Sequence, residues 1–270
     1  MNAFRQLLKA SGAHPPVGTW IGSAHPLVAE AIACAGFDWG LVDMEHAPLD
    51  VSGLVHMLQA LGCTKMLPVV RVPWNDAVMV KRVLDAGATT LMFPFVQNAE
   101  EARRAVAATR YPPEGVRGVA GTSRATRFGT ATGYFRNANQ NIGVIVQVET
   151  PQAVEEVDAI AAVEGIDSVF VGPADLSAAL GHIGELTHPS VLAQMGRVVQ
   201  RCKARGTPVG TLGASPDHVA QYRAMGFDYL AISSDIGFMM RGAREAIAAL
   251  RTPDTEHVHT LATGTQATAY

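Results

Sequence analysis

Short apolar runs rich in valine, isoleucine, leucine and aromatic residues alternate along the chain with longer stretches in which apolar residues recur at helical spacing. Eight of the short runs read as strands, at residues 17–21, 39–43, 67–72, 90–93, 143–149, 168–171, 208–212 and 229–232. The helical stretches fall at 27–35, 51–61, 77–86, 99–109, 152–162, 190–205, 216–224 and 237–250. Strand and helix in strict alternation predict an α/β chain whose eight parallel strands close into a (β/α)8 TIM barrel, with residues 1–250 as a single domain.

Two segments break this rhythm. Residues 111–141 hold YPPEGVRG and AGTSRATRFGTATGYFRNANQN, whose prolines and glycines disfavour one continuous helix. A connection this long in a compact domain is more often a functional loop or an interface than an empty linker. Its Arg117, Arg124 and Arg127 read either as groups that reach a substrate or a neighbouring subunit, or as parts of an ordinary surface loop. After Leu250 the apolar periodicity stops, so residues 251–270 are expected to form a flexible tail. The His257 and His259 pair in it has no carboxylate neighbour to complete a ligand set and reads as incidental.

Composition narrows the class. Hydrophobic residues make up 48% and charged residues 17%, which suits a large core with both sheet faces covered. The net charge of −3, without a basic cluster, argues against a nucleic-acid partner. Cys34, Cys63 and Cys202 form no CxxC pair and imply no disulfide framework. No hydrophobic leader and no run of about 18 apolar residues occurs, so no membrane partner is expected and the cytoplasm is the expected location.

In barrels of this kind, loops after the C-terminal ends of the strands build the active site. The chain places Asp43, Glu45 and His46 after the second strand, Arg71 at the end of the third, Gln147 and Glu149 at the end of the fifth, and Gly172, Ala174 and Asp175 after the sixth. Glu149 and Asp175 lie one βα unit apart; two carboxylates with room for water suit Mg²⁺ or Mn²⁺, although an acid–base pair or an ion pair would use the same residues. Arg71 reads either as a bidentate clamp for a carboxylate or enolate oxygen, or as a salt bridge to Asp43, Glu45 or Glu149. His46 can move a proton near neutral pH; Asp85 reads as a partner that orients it across the mouth, or as a C-terminal helix residue or local cap. Lys9, Lys65, Lys81 and Lys203 all lie away from the ends of strands five to seven, which disfavours imine chemistry and favours a metal-assisted enolate. Residues 210–213 and 233–237 could cradle an anion through backbone amides, but they carry no cationic side chain and read as tight turns.

The phrases AGFDWGLVDMEHAP, PVVRVPWND, LDAGATTLMFPFVQNAEEA, TRYPPEGVRGV, VIVQVET and VFVGPADLSAALG together resemble the class II pyruvate aldolases of the HpcH/HpaI family, over residues 18–249. YPPEGVRGV, RATRFGTATGYFRNANQNI and PADLSAALGHIG resemble most the branch that cleaves 2-dehydro-3-deoxyglucarate; the 4-hydroxy-2-oxoheptanedioate aldolases share most of the catalytic phrases. The resemblance implies that Glu149 and Asp175 hold Mg²⁺, Mn²⁺ or Co²⁺, which pyruvate chelates. It implies that Arg71 touches the keto or enolate oxygen, that amides around Gly172, Ala174 and Asp175 receive the pyruvate carboxylate, and that Gln147 shapes the pocket. It makes His46 and Asp85 the proton-transfer pair, and the products pyruvate and a hydroxy-aldehyde, tartronate semialdehyde. It also implies a homo-hexamer in which the C-terminal helix, residues 237–250, is exchanged between barrels. An acyl-CoA lyase, an oxaloacetate-type decarboxylase and a non-enzymatic barrel scaffold are the competing readings.

Overall fold

The computed structural model describes residues 2–12 and 14–251; most of the expected tail, with His257 and His259, lies outside the described residues. Eight parallel strands, β1 (Val17–Ile21), β2 (Trp39–Asp43), β3 (Leu67–Arg71), β4 (Thr90–Phe93), β5 (Gly143–Val148), β6 (Ser168–Val171), β7 (Val209–Gly213) and β8 (Tyr229–Ser234), close into a barrel in chain order. The first pairs with the last, Val17 opposite Leu230. The (β/α)8 expectation therefore holds, and the strand limits agree with those read from the chain to within two residues.

The helices are α1 (Ala3–Ala10), α2 (Pro26–Ala33), α3 (Val51–Leu61), α4 (Ala77–Asp85), α5 (Ala99–Thr109), α6 (Tyr134–Asn141), α7 (Pro151–Glu155), α8 (Val157–Ala161), α9 (Pro173–Ala179), α10 (Pro189–Arg205), α11 (Pro216–Met225) and α12 (Asp235–Arg251). Seven of the described helices begin at a side-chain cap: Asn2 and His188 cap α1 and α10, and Asp50, Asp76, Asn98, Thr150 and Ser215 each accept a hydrogen bond from the amide three residues on. The helix expected at 152–162 is interrupted at Glu156, whose backbone leaves the helical region, so it becomes α7 and α8. Contacts divide the chain into the barrel, Met1–Asp235, and a second unit from Ile236, whose described part belongs to α12.

Two apolar layers follow from strand alternation. Outward residues such as Val42, Val70, Val146 and Val171 pack under the helices, and inward residues Trp20, Trp39, Leu41, Val69, Met92, Ile145, Phe170 and Tyr229 fill the barrel. The closed end is plugged by Phe4 of α1, which is fully buried against Trp39 and Tyr229. Gly18 makes this possible, because a Cβ there would collide with the Trp39 indole. The opposite end, where the strands finish, is open.

The long interval before β5 is not an extended loop. Asn139 in α6 bonds the backbone of Tyr111 in both directions, at 2.7 and 3.1 Å, and Ala125 N donates to Asp85 O at 3.2 Å. Since it joins the end of α5 to the start of β5, it folds at the closed end, away from the mouth. Of its arginines, Arg117 is completely buried and Arg124 donates to Ala86 O at 2.9 Å, so within this barrel they serve structure.

Candidate active site

A cavity of about 550 Å³ opens at the mouth. His46, Arg71, Gln147, Glu149, Gly172, Ala174 and Asp175 all line it, so strand closure gathers the expected residues except Asp85. Trp20 and Phe170 form the apolar part of the lining, and Leu186, Leu212, Ala214, Ser233 and Ser234 add further wall.

Arg71, the last residue of β3, sits opposite Asp43, the last residue of β2. Its Nε and Nη2 donate to the two Asp43 oxygens at 2.9 and 2.8 Å, and Nη1 lies 2.9 Å from Glu45 Oε2. The same Asp43 Oδ1 accepts from the amides of Glu45 and His46, at 3.0 and 3.4 Å, so one carboxylate shapes the loop and aims the guanidinium. Burial opposes the Arg71 charge, but the hydrogen bond and charge of Asp43, with Glu45 and Glu149, outweigh it and raise the pKa above its ordinary value. Both sequence readings of Arg71 thus coexist: it is salt-bridged and it faces the cavity.

Glu149 follows β5 and is 2% exposed. Its Oε1 accepts from Phe95 N at 2.7 Å and its Oε2 from Gln147 Nε2 at 3.2 Å. Burial pushes its pKa up to about 7; the Phe95 hydrogen bond lowers it, whereas the nearby charges of Asp175 and Glu45 raise it. Gly172 lies so close that a Cβ there would strike Glu149 Oε2. Asp175, in the first turn of α9, is half-buried. Gly172 caps α9 without a side-chain hydrogen bond, leaving the first amides of the helix to other partners.

This donor set fits a divalent cation. Glu149 and Asp175 repel one another at one cavity wall, and the buried Gln147 Oε1 beside them has no hydrogen-bond partner. Oxygen-only ligands with room for water suit a hard ion.

His46 is mostly exposed, with Nε2 3.8 Å from Glu45 Oε2. Asp85 does not meet it within this chain. Asp85 ends α4, and that helix runs back from the mouth toward the start of β4, which carries its last residue to the closed end of the barrel. There Asp85 Oδ1 accepts from Arg117 Nη2 at 2.9 Å; the same nitrogen donates to Tyr134 Oη at 3.2 Å, while the guanidinium stacks 4.4 Å over Tyr111. The expectation of a His46–Asp85 pair across one mouth is corrected accordingly.

Phe95 was not foreseen from the chain. Its φ of 51° places an aromatic residue in the left-handed region, and that unusual backbone aims its amide at Glu149. No residue preference marks such a position. Glu45 and Asp43, by contrast, were legible in DMEH as partners of Arg71.

A family model for "HpcH/HpaI aldolase/citrate lyase" matches residues 17–241. The chain belongs to the HpcH/HpaI aldolase/citrate lyase family. As a member of that family it is a carbon–carbon lyase. It is 48% identical to a 2-dehydro-3,6-dideoxy-6-sulfogluconate aldolase of Pseudomonas putida, over 87% of this chain and 92% of that one. It is 45% identical to a 5-keto-4-deoxy-D-glucarate aldolase of Citrobacter koseri, over 92% and 95% respectively. An HpcH/HpaI aldolase/citrate lyase family protein of known structure from Burkholderia cenocepacia superposes with a TM-score of 0.89 at 42% identity, covering 93% of this chain and 100% of that one. No helix among the described residues is long and apolar enough to cross a membrane.

Proposed function

We propose that this lyase is a divalent-metal-dependent pyruvate aldolase that cleaves 2-dehydro-3-deoxyglucarate, or a similar 4-hydroxy-2-oxo acid, to pyruvate and tartronate semialdehyde. The observation that carries the reading is the facing of a clamped, permanently charged Arg71 and the Glu149–Asp175 pair across one small cavity. A divalent ion (Mg²⁺, Mn²⁺ or Co²⁺) held by Glu149 and Asp175 would supply Lewis-acid charge for the 2-oxo-acid end of the substrate.

The protein's own groups have the remaining roles. Arg71 holds the keto oxygen and stabilises the negative charge that grows on it as the C3–C4 bond breaks. Gln147 and the backbone amides at Gly172, Ala174 and Asp175 position the substrate carboxylate. His46 accepts the C4 hydroxyl proton, C4 leaves as the aldehyde, and a proton added at C3 completes the methyl group of pyruvate. Trp20 and Phe170 limit water around the enolate. Asp85 can orient His46 only if it comes from another copy of the chain, which agrees with a cytoplasmic homo-hexamer built by exchange of α12; the exposed Met239, Ile247 and Leu250 on that helix support such an exchange.

The relative from Pseudomonas putida favours a second substrate, in which the aldehyde end carries a sulfonate. The test is pyruvate release by metal-stripped enzyme with Mg²⁺, Mn²⁺ or Co²⁺ restored, without coenzyme A. Three substrates are compared, 2-dehydro-3-deoxyglucarate, 2-dehydro-3,6-dideoxy-6-sulfogluconate and 4-hydroxy-2-oxoheptanedioate, with a Glu149→Ala/Asp175→Ala control. Metal-dependent cleavage fastest on the glucarate is the expected result. Preference for either other acid keeps the mechanism and changes the substrate, and full activity in the double variant sinks the metal role. Cleavage of none of the three transfers the assignment to oxaloacetate decarboxylation or an acyl-CoA substrate.

A further inference from the structure

The connection from α9 to α10 starts with a closing bond at the end of α9 and continues as two consecutive three-residue turns. His182 N donates to Ser177 O at 2.8 Å, Glu185 N to His182 O at 2.9 Å, and His188 N to Glu185 O at 3.0 Å. Gly181 and Gly184, at φ 81° and 84°, supply the left-handed backbone that lets the chain reverse between turns. Turns closing every three residues return positions i, i+3 and i+6 to one side. Those positions are His182, Glu185 and His188, and one ligand atom from each lies within 4.8 Å of the others. The two imidazoles already face each other, with centroids 3.5 Å apart and planes at 17°.

His188 adds an independent observation. Its Nδ1 lies 2.8 Å from Ser190 Oγ and 3.3 Å from Ser190 N. When Nδ1 caps α10 by accepting from the Ser190 amide, the ring proton resides on Nε2. When Nδ1–H instead donates to Ser190 Oγ, Nε2 carries a free lone pair, the arrangement in which a histidine ligand is oriented by an outer oxygen. An ion and the helix cap therefore select opposite tautomers of one ring.

We propose that His182, Glu185 and His188 form a second cation site, selective for a borderline transition ion such as Zn²⁺, Co²⁺ or Ni²⁺. Two imidazole nitrogens and one carboxylate match such ions, whereas Mg²⁺ prefers oxygen ligands and keeps its waters. Binding tilts the two rings out of their stack so that both lone pairs converge, and leaves a coordination position for water. Leu186, inside the same loop, lines the mouth cavity, and its carbonyl accepts from Tyr222 Oη at 3.3 Å. An ion at this site ties the loop on both sides of Leu186 and holds that part of the cavity wall. The proposal does not rest on the assigned reaction.

The test is Co²⁺ titration of the full-length, metal-free chain, by equilibrium dialysis and by the visible absorption of nitrogen-ligated Co²⁺. Wild type is expected to take two equivalents and the Glu149→Ala/Asp175→Ala variant one, with the visible band retained and resistant to excess Mg²⁺. Adding His182→Ala to that variant should weaken Co²⁺ at least about tenfold. Glu185→Gln, in an exposed position, should weaken it in the same direction, with circular dichroism confirming that each variant is folded. The proposal is overturned if the double variant binds no Co²⁺, or binds it equally well with His182→Ala and Glu185→Gln added. One equivalent in both wild type and the double variant, lost with His182→Ala, would support this site and remove the metal from the cavity.

Discussion

At the closed end of the barrel Phe4 packs edge-on against Trp39 and Tyr229, with ring centroids 6.1 and 5.3 Å apart, and the buried Tyr229 hydroxyl accepts from Ser168 Oγ at 2.7 Å and donates to Val169 O at 3.4 Å. At the mouth stand Asp43 and Arg71, which end β2 and β3, and Glu149, just past β5, each under 10% exposed, with Glu45 and Asp175 close enough to perturb Glu149. The aromatic plug inside the barrel satisfies itself with what the chain supplies, apart from an unpartnered Trp39 Nε1; outside the strands at that end, Arg117 Nε and Nη1 and Tyr111 Oη also lack hydrogen-bond partners. The mouth retains repelling carboxylates and an unpartnered Gln147 Oε1, costs that a cation and an anionic substrate would offset. Stability and chemistry are thus separated along the barrel axis.

The sharpest way to break this comparison is a matched pair of substitutions. Phe4→Ala should lower the unfolding free energy by about 3–5 kcal/mol, because it empties a packed plug, yet leave kcat/KM within about twofold while the protein is folded. Arg71→Lys should lower kcat/KM by about 100-fold or more, since an ammonium cannot reproduce the forked geometry, with a smaller loss of stability. Chemical denaturation and steady-state pyruvate release measure both; equal loss of both properties in both variants would abolish the distinction.

The next effect is one of pH. Glu149 is held up to about 7 against an ordinary 4.5, so the metal-free folded chain binds this proton more tightly than the unfolded chain does. The resulting stabilisation is full below about pH 4.5 and is lost as pH rises through about 7, a change of order 3 kcal/mol. Denaturation curves of metal-free wild type should show this loss relative to Glu149→Gln between pH 5 and 8, and saturating Mg²⁺ should reverse it, since a cation favours the ionised carboxylate. Parallel curves for the two proteins would mean that Glu149 is not strained by burial. The smallest effect belongs to the closed end: Tyr229→Phe removes the hydroxyl's bonds to Ser168 Oγ and Val169 O, leaves Ser168 its bond to Pro208 O, and should cost about 1 kcal/mol with no change in turnover.

Much of the site was legible because a barrel converts strand ends into neighbours. Once eight strands are recognised, Arg71 at the end of β3 and Glu149 just past the end of β5 must face one opening, whatever the loops do. Asp85 carried two readings, and the fold bears out the one that puts it at a helix C-terminus. A residue that ends a helix in a βα unit lies at the end opposite the mouth, so Asp85 can serve His46 only from another copy of the chain. The long interval before β5 was recognised as exceptional, whereas its burial of Arg117 beneath Tyr111 depends on contacts between segments that no local pattern encodes.

The order of apolar and polar residues by itself determined the strands, the barrel and the helices other than the short α1, α6 and α9, since these follow from repeats of two and of 3.6 residues, which act over short distances along the chain. Only the tertiary structure decided that Asp43 and Glu45 clamp Arg71, that a left-handed Phe95 lends its amide to Glu149, that Asp85 lies away from His46, and that two successive turns bring His182, Glu185 and His188 together. Each of these depends on where closure of the barrel or folding of a loop places atoms to within an ångström, and periodicity carries no information on that scale.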